Sequence, residues 1–386
     1  MKLIHPGWHR HSLYCILPPY VVRTIAQNGS SAQRAAALRT MAVDNTFRAL
    51  RLSSAVGAQR LPTRRLGGMM AESQRQRSIY HMDGKEGFPG TLARSEGQGP
   101  TGDVAVDEAY EGLGATYDFF WEVFGRDSLD DSGLPLNAHV HYGMNYDNAF
   151  WDGQRMVFGD GDGEIFNRFT IAMDIIGHEL SHGMTEDEGP LMYFRQAGAL
   201  NESISDIFGS LVKQKFLNQT ADQADWLIGA GLLADGVQGK ALRSMKDPGT
   251  AYDDPVLGKD PQPAHMRDFV KTWEDNGGVH INSSIPNRAF CLAALKVGGY
   301  AWEKVGRIWY EALRDMRLRP DCGFARFARI TSQCASRLYG EGGTEEAAVV
   351  DSWGEVGIKV TREKISVARV PTLKVPAVQP SGRPSA

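Results

Sequence analysis

An α+β architecture in two lobes is what the sequence predicts, and three observations predict it. The chain has 386 residues, 42% hydrophobic and 23% charged, which is enough apolar material for two fused lobes. Residues 137–163, NAHVHYGMNYDNAFWDGQRMVFGDGDG, are strand-like with tight Gly/Asp turns. After Phe169 helical patterns dominate, with helices predicted over 170–186, 197–216, 279–298, 301–316 and 322–339. The first lobe is therefore β-rich and the second helical.

In chain order, residues 1–60 form a distinct segment: basic, with Asp44 its only acid, and ending in the helical pattern SAQRAAALRTMAVDNTFRALRLSS. Gly, Arg and Ser crowd residues 61–100, which read as a linker or an extended edge. From Asp103 the pattern becomes dense, and DEAYEGLGATYDFFWEVFG is helical. The expected units are thus 1–60, an N-terminal lobe over 61–190, a C-terminal lobe over 191–360, and a tail over 361–386. The tail contains VARVPTLKVPAVQPSGRPSA, proline-rich without an apolar period, and is expected to be disordered.

Composition also excludes partners. A net charge of −4 with no long basic run gives no nucleic-acid surface. No stretch approaches the roughly 20 apolar residues that span a bilayer, so no membrane partner is expected. The opening is a poor secretory signal, because Pro18 and Pro19 break its longest apolar run. Cys322 and Cys334 flank a predicted helical turn set that would hold them about 18 Å apart, beyond disulfide reach. All four cysteines are therefore expected as free thiols. The N-x-S/T sequons at Asn201, Asn218 and Asn282 are read as accidental, since two lie inside the chemical motifs.

Those motifs centre on His178-Glu179-Leu180-Ser181-His182, an H-E-x-x-H on a predicted helix. Spacing of i, i+4 puts both imidazoles on one face, able to grip one Zn²⁺, with Glu179 beside them to take a proton from metal-bound water. The alternative is a surface helix with two unrelated histidines. A third ligand is needed that leaves one zinc position open, and Glu202 in GALNESISDIFGSLVKQ supplies it. Asp206, one turn on, is placed to accept the distal N–H of a zinc-bound imidazole, with Asn201 as a further support behind the ligands.

HELSHGMTE and GALNESISDIFG, with YDNAFW and GDGDG upstream and LRSM and DNGGVHINS downstream, stand in the order and nearly the spacing of the thermolysin family. The resemblance runs from about Asp103 to Val360. Cys15-Ile16-Leu17-Pro18-Pro19-Tyr20 resembles the C-x-x-P-P-Y element of the short propeptides in the protealysin-like branch. This resemblance implies a two-lobe zincin with the active-site cleft between the lobes, a propeptide over residues 1–60, and peptide-bond hydrolysis. It implies that His280, held by Asp275 and assisted by Tyr193, stabilises the oxyanion. Unaided, His280 reads as a core histidine. Arg243 would hold the substrate carbonyl, and Asn148 with Ala149 would bind peptide backbone. Phe166, Phe169, Ile175 and Leu242 would line an apolar primed-side pocket, placing cleavage before bulky hydrophobic residues.

One departure from the family is informative. Of its paired-calcium carboxylates only Asp174 and Asp225 are matched, while Lys213, Leu227, Ala230 and Gly231 offer no side-chain oxygen. The paired-calcium site is therefore expected to be largely lost, leaving zinc as the cofactor. GDGDG is read as a turn. Cys15 has two readings, a thiolate that displaces water from zinc or a small apolar residue packing the propeptide down. The expected partners are protein and peptide substrates and the chain's own propeptide as inhibitor, with the protein a monomer. Secretion follows from the resemblance; a cytoplasmic location is the alternative. Two alternatives fit less well: a non-catalytic zinc module, because Glu179, His280 and Tyr193 are all present, and an aminopeptidase, because the sequence shows no acidic clamp for a substrate amine near YDNAFW.

Overall fold

The computed structural model describes residues 14–55 and 75–360. The tail expected to be disordered lies outside the described residues.

A six-stranded mixed sheet anchors the first lobe. Its strands are β1 (Tyr14–Cys15), β2 (Arg77–His81), β3 (Thr91–Ser95), β4 (Leu136–Val140), β5 (Ala149–Trp151) and β6 (Met156–Phe158), in the order β1-β5-β6-β4-β2-β3. Helix α1 (Pro19–Asn28) and α2 (Ser31–Ala55) follow β1, and α3 (Val104–Phe124) follows β3. Asp103 caps α3 through the amides of Ala105 and Val106, as its position before an apolar run suggests. Of the two readings of 61–100, a linker or an extended edge, the described part takes the second: β2 and β3 pair antiparallel, and β3 forms the outer edge of the sheet.

The second lobe is helical. Helix α4 (Met173–Glu188) ends the first lobe, and the second contains α5 (Arg195–Phe216), α6 (Asp275–Asn282), α7 (Ser284–Val297), α8 (Val305–Leu313), α9 (Phe324–Tyr339) and α10 (Thr344–Glu355). Two-residue strands β7 (Leu227–Ile228) and β8 (Arg243–Ser244) pair antiparallel between α5 and α6. The single helix expected over 279–298 is broken at Ser283, and α10 was not anticipated. Pro19 opens α1. Its fixed φ and missing N–H suit a helix's first residue, while Pro18 before it stays extended.

Candidate active site

Two helices carry the centre, and glycine decides how closely they cross. A Cβ on Gly209 of α5 would lie 2.3 Å from the Asp174 carbonyl oxygen and 2.8 Å from the His178 nitrogen. The bare backbone there lets α5 lie directly on α4, bringing Glu202 to His178 and His182, all three buried. The two Nε2 atoms are 3.1 Å apart, and Glu202 oxygens stand 3.5 Å from each.

The hydrogen bonds behind these groups test whether a metal fits. His178 Nδ1 meets Asp206 Oδ1 at 2.8 Å, and His182 Nδ1 meets Asn201 Oδ1 at 2.8 Å with Ser205 Oγ at 3.0 Å. Acceptors at both Nδ1 atoms place the protons there and leave two Nε2 lone pairs facing one another. Such a pair repels unless a cation lies between, and two neutral imidazoles with one carboxylate make the donor set of a catalytic zinc. Burial, then His178, hold His182 well below the usual imidazole range, in the neutral form that ligates. Asp206 is gripped by Arg243 at 2.8–3.2 Å and by Asn287 Nδ2 at 2.8 Å. Its burial alone would raise the carboxyl, but Arg243 and His178 outweigh it and keep the group ionised.

Around this centre the remaining candidates assemble. Glu179 is fully buried; its Oε2 accepts from the Trp151 amide at 3.2 Å, and its Oε1 has no hydrogen-bond partner. Burial, with Glu202 adding to it, raises this carboxyl well above its ordinary range. The left-handed run Asn276-Gly277-Gly278 turns the chain so that Asp275 reaches His280, with Nδ1 to Oδ1 at 2.6 Å and the amide to Oδ2 at 2.9 Å. Burial opposes charge on His280, but Asp275 and Glu202 push it up to about 9. The Tyr193 hydroxyl lies 3.2 Å from His280 Nε2 and donates to Glu202. Gln262, Ser205 and Asn287 were not anticipated; Gln262 Nε2 donates to the His280 carbonyl at 2.7 Å.

The segment Tyr14–Leu17 lies in this cleft. Strand β1 pairs antiparallel with β5, matching Tyr14 to Trp151 and Cys15 to Phe150. The Ile16 amide donates to the Ala149 carbonyl at 3.1 Å, and the Leu17 amide to Asn148 Oδ1 at 3.0 Å. Arg243 Nη1 donates to the Ile16 carbonyl at 3.1 Å. Ile16 is fully buried in the same apolar cluster as Phe166, Phe169, Ile175 and Leu242. Helix α2 ties the segment down: Asp44, 3% exposed, accepts from Tyr146 at 2.7 Å and from Asn148 Nδ2 at 3.0 Å, and Thr40 Oγ1 accepts from the Asp147 amide at 3.0 Å.

This placement corrects the thiolate reading of Cys15. Successive residues of a strand face opposite sides, and it is the Tyr14 ring that stacks on His182, 4.2 Å between centroids, with its edge toward Tyr193. Cys15 packs instead with Val43, Phe47, Tyr146 and Phe150, and it is not in the group that could hold the metal. Burial raises its thiol, the reverse of what ligation requires. The packing reading stands. All four cysteines are free.

Two further expectations meet the structure nearby. Lys213 Nζ donates to Asp174 Oδ2 at 2.7 Å, Asp225 Oδ1 at 2.9 Å and the Leu227 carbonyl at 2.8 Å, so an ammonium stands among the residues of the family's calcium cluster. In GDGDG, Asp162 Oδ1 accepts the amides of Glu164, Ile165 and Phe166, as a turn-forming Asp does.

Comparison with known proteins gives the same answer from a separate direction. Residues 28–186 match the thermolysin metallopeptidase catalytic domain, and residues 189–358 match the thermolysin metallopeptidase alpha-helical domain. An extracellular metalloprotease of Pectobacterium carotovorum subsp. carotovorum is 54% identical over 348 residues, 90% of this chain and 97% of that protein. A thermolysin of Alicyclobacillus acidocaldarius subsp. acidocaldarius is 37% identical over 300 residues, 75% of this chain and 52% of that one. The solved precursor of protealysin from Serratia proteamaculans superposes with a TM-score of 0.80 at 55% identity, covering 89% of this chain and 99% of that chain.

Proposed function

Because the chain belongs to the thermolysin family of zinc-dependent neutral metallopeptidases, we propose that it cuts peptide bonds on the amino side of bulky apolar residues and that residues 1–60 inhibit it as a propeptide. His178, His182 and Glu202 would hold the zinc, with Asp206 and Asn201 fixing the imidazoles. Bound there, zinc supplies a Lewis acid for the scissile carbonyl and an acidified water. Glu179 takes the proton of the attacking water and passes it to the leaving amine; a carboxyl with a raised pKa suits both steps. His280, oriented by Asp275, and Tyr193 donate to the oxyanion. Asn148, Ala149 and Arg243 bind the substrate backbone.

The observation that carries this reading is Ile16. Its amide and carbonyl are held by Ala149 and Arg243 while its side chain is buried, the set of contacts a substrate residue just after the scissile bond would need. Segment 14–17 thus lies as a peptide would, and α2 anchors it. The protealysin precursor and the extracellular relative support a zymogen released outside the cell. No described helix is long and apolar enough to cross a membrane. We take the enzyme to act as a monomer.

The test is to digest a random peptide pool with the processed enzyme and sequence the products. Burying a Leu, Ile or Phe side chain in the pocket contributes about 1.5–3 kcal/mol, a ten- to hundredfold preference. Cuts should therefore fall before Leu, Ile, Phe and Val; a map dominated by cuts beside Lys, Arg or Asp would refute the assignment.

A further inference from the structure

A second group of imidazole and carboxylate side chains converges in the first lobe. His81, Asp103 and His141 offer donor atoms that all lie within 4.8 Å of one another, and they come from three separate elements. His81 ends β2, His141 follows β4, and Asp103 caps α3. Parallel pairing of β2 with β4, with His81 opposite Val140, aligns the two strand ends and sets the two rings 4.3 Å apart. Asp103 Oδ1 receives the amides of Ala105 and Val106 and lies 3.2 Å from His141 Nε2, while Oδ2 stands 3.0 Å from His141 Nε2 and 3.6 Å from His81 Nε2.

An independent feature points to a ligand. Each of these imidazoles has a second carboxylate behind it, Asp160 Oδ2 2.9 Å from His141 Nδ1 and Asp83 Oδ1 3.1 Å from His81 Nδ1. A carboxylate at Nδ1 accepts a hydrogen bond from that N–H and leaves the Nε2 lone pair free, the same support that Asp206 gives His178. Asp83 also offers His81 Nδ1 its backbone N–H at 3.0 Å, so His81 can hold either tautomer, and ligation through Nε2 uses the one bonded to the carboxylate. Three carboxylates face two imidazoles, with Lys85, 3.6 Å from Asp83, as a nearby cation.

We propose that His81, Asp103 and His141 form a second, structural zinc site that clips the ends of β2 and β4 to the first turn of α3. Two imidazole nitrogens select a borderline dication such as zinc over calcium or magnesium, and one carboxylate oxygen plus water completes four-coordination.

The experiment titrates the full chain, its catalytic centre already zinc-loaded, with zinc chloride against a chromophoric chelator, following stoichiometry and melting temperature. The expected result is a second zinc per chain and a higher melting temperature. His81→Ala should weaken the second zinc by roughly tenfold or more and abolish the melting shift, while leaving the first zinc and the peptidase rate unchanged. His81→Gln, which keeps more of the side chain's volume, should do the same. One zinc per chain up to millimolar zinc chloride would overturn the proposal. So would a second zinc held equally well by wild type and both variants, which would place it elsewhere.

Discussion

Glu179 and Asp44 are both buried carboxylates, and they do opposite work. Glu179, next to His178 in the chain, keeps one oxygen without a partner, so its proton affinity is available for chemistry. Both Asp44 oxygens are engaged by Tyr146 and Asn148, so it serves as an anchor. Glu179→Gln preserves shape but removes the proton acceptor. It should keep zinc content and melting temperature while kcat falls by about 10²–10⁴-fold; a variant retaining a tenth of wild-type casein hydrolysis would disprove the assigned role. Much of this scale was legible, because H-E-x-x-H and the later Glu stand at spacings the metal demands. Ser205, Asn287, Gln262 and Tyr14 were not. Each is a single residue brought to the centre by tertiary packing, and no local pattern marks it.

At the scale of elements, α4 and α5 were readable from their apolar periods, and their partnership from the ligands they share. Their distance was not, since Gly177 and Gly209 look like ordinary helix-weakening residues until the crossing is seen. Helix α6 was misread for a related reason: a left-handed run at 276–278 sets its start, and Ser283 separates it from α7. Lys213 shows the opposite case, where a departure from the family's calcium ligands is visible in the sequence and the structure shows what takes their place. Its ammonium bridges Asp174, 1% exposed, and Asp225. Adding millimolar calcium instead of EGTA should move the melting temperature by only a few degrees. Removing the cation by Lys213→Ala leaves a buried carboxylate uncompensated and should cost about 3–5 kcal/mol, part of it recovered with calcium. A large calcium response in the wild type would show that the ammonium does not fill the site.

The whole molecule reads as an enzyme lying on its own N-terminal segment. The two-lobe plan was legible from strand-like residues preceding helical ones, and the distinct 1–60 segment from its basic composition. That β1 would complete the catalytic sheet was not, because two residues of strand carry no periodicity. The C-x-x-P-P-Y element drew attention to Cys15, whereas packing gives the cleft to Tyr14 and Ile16 and sends the thiol into an apolar cluster. Segment 14–17 pairs with β5 and stacks on His182, where a peptide substrate would have to lie. Comparing peptidase rates of the zinc-loaded precursor and of the same protein after proteolytic removal of residues 1 to about 60 tests whether it blocks that edge. A segment tethered at near-millimolar effective concentration and binding with even micromolar affinity leaves roughly one site in a thousand open. Removal should raise the rate by about that factor; equal rates before and after would mean that the segment does not block substrate.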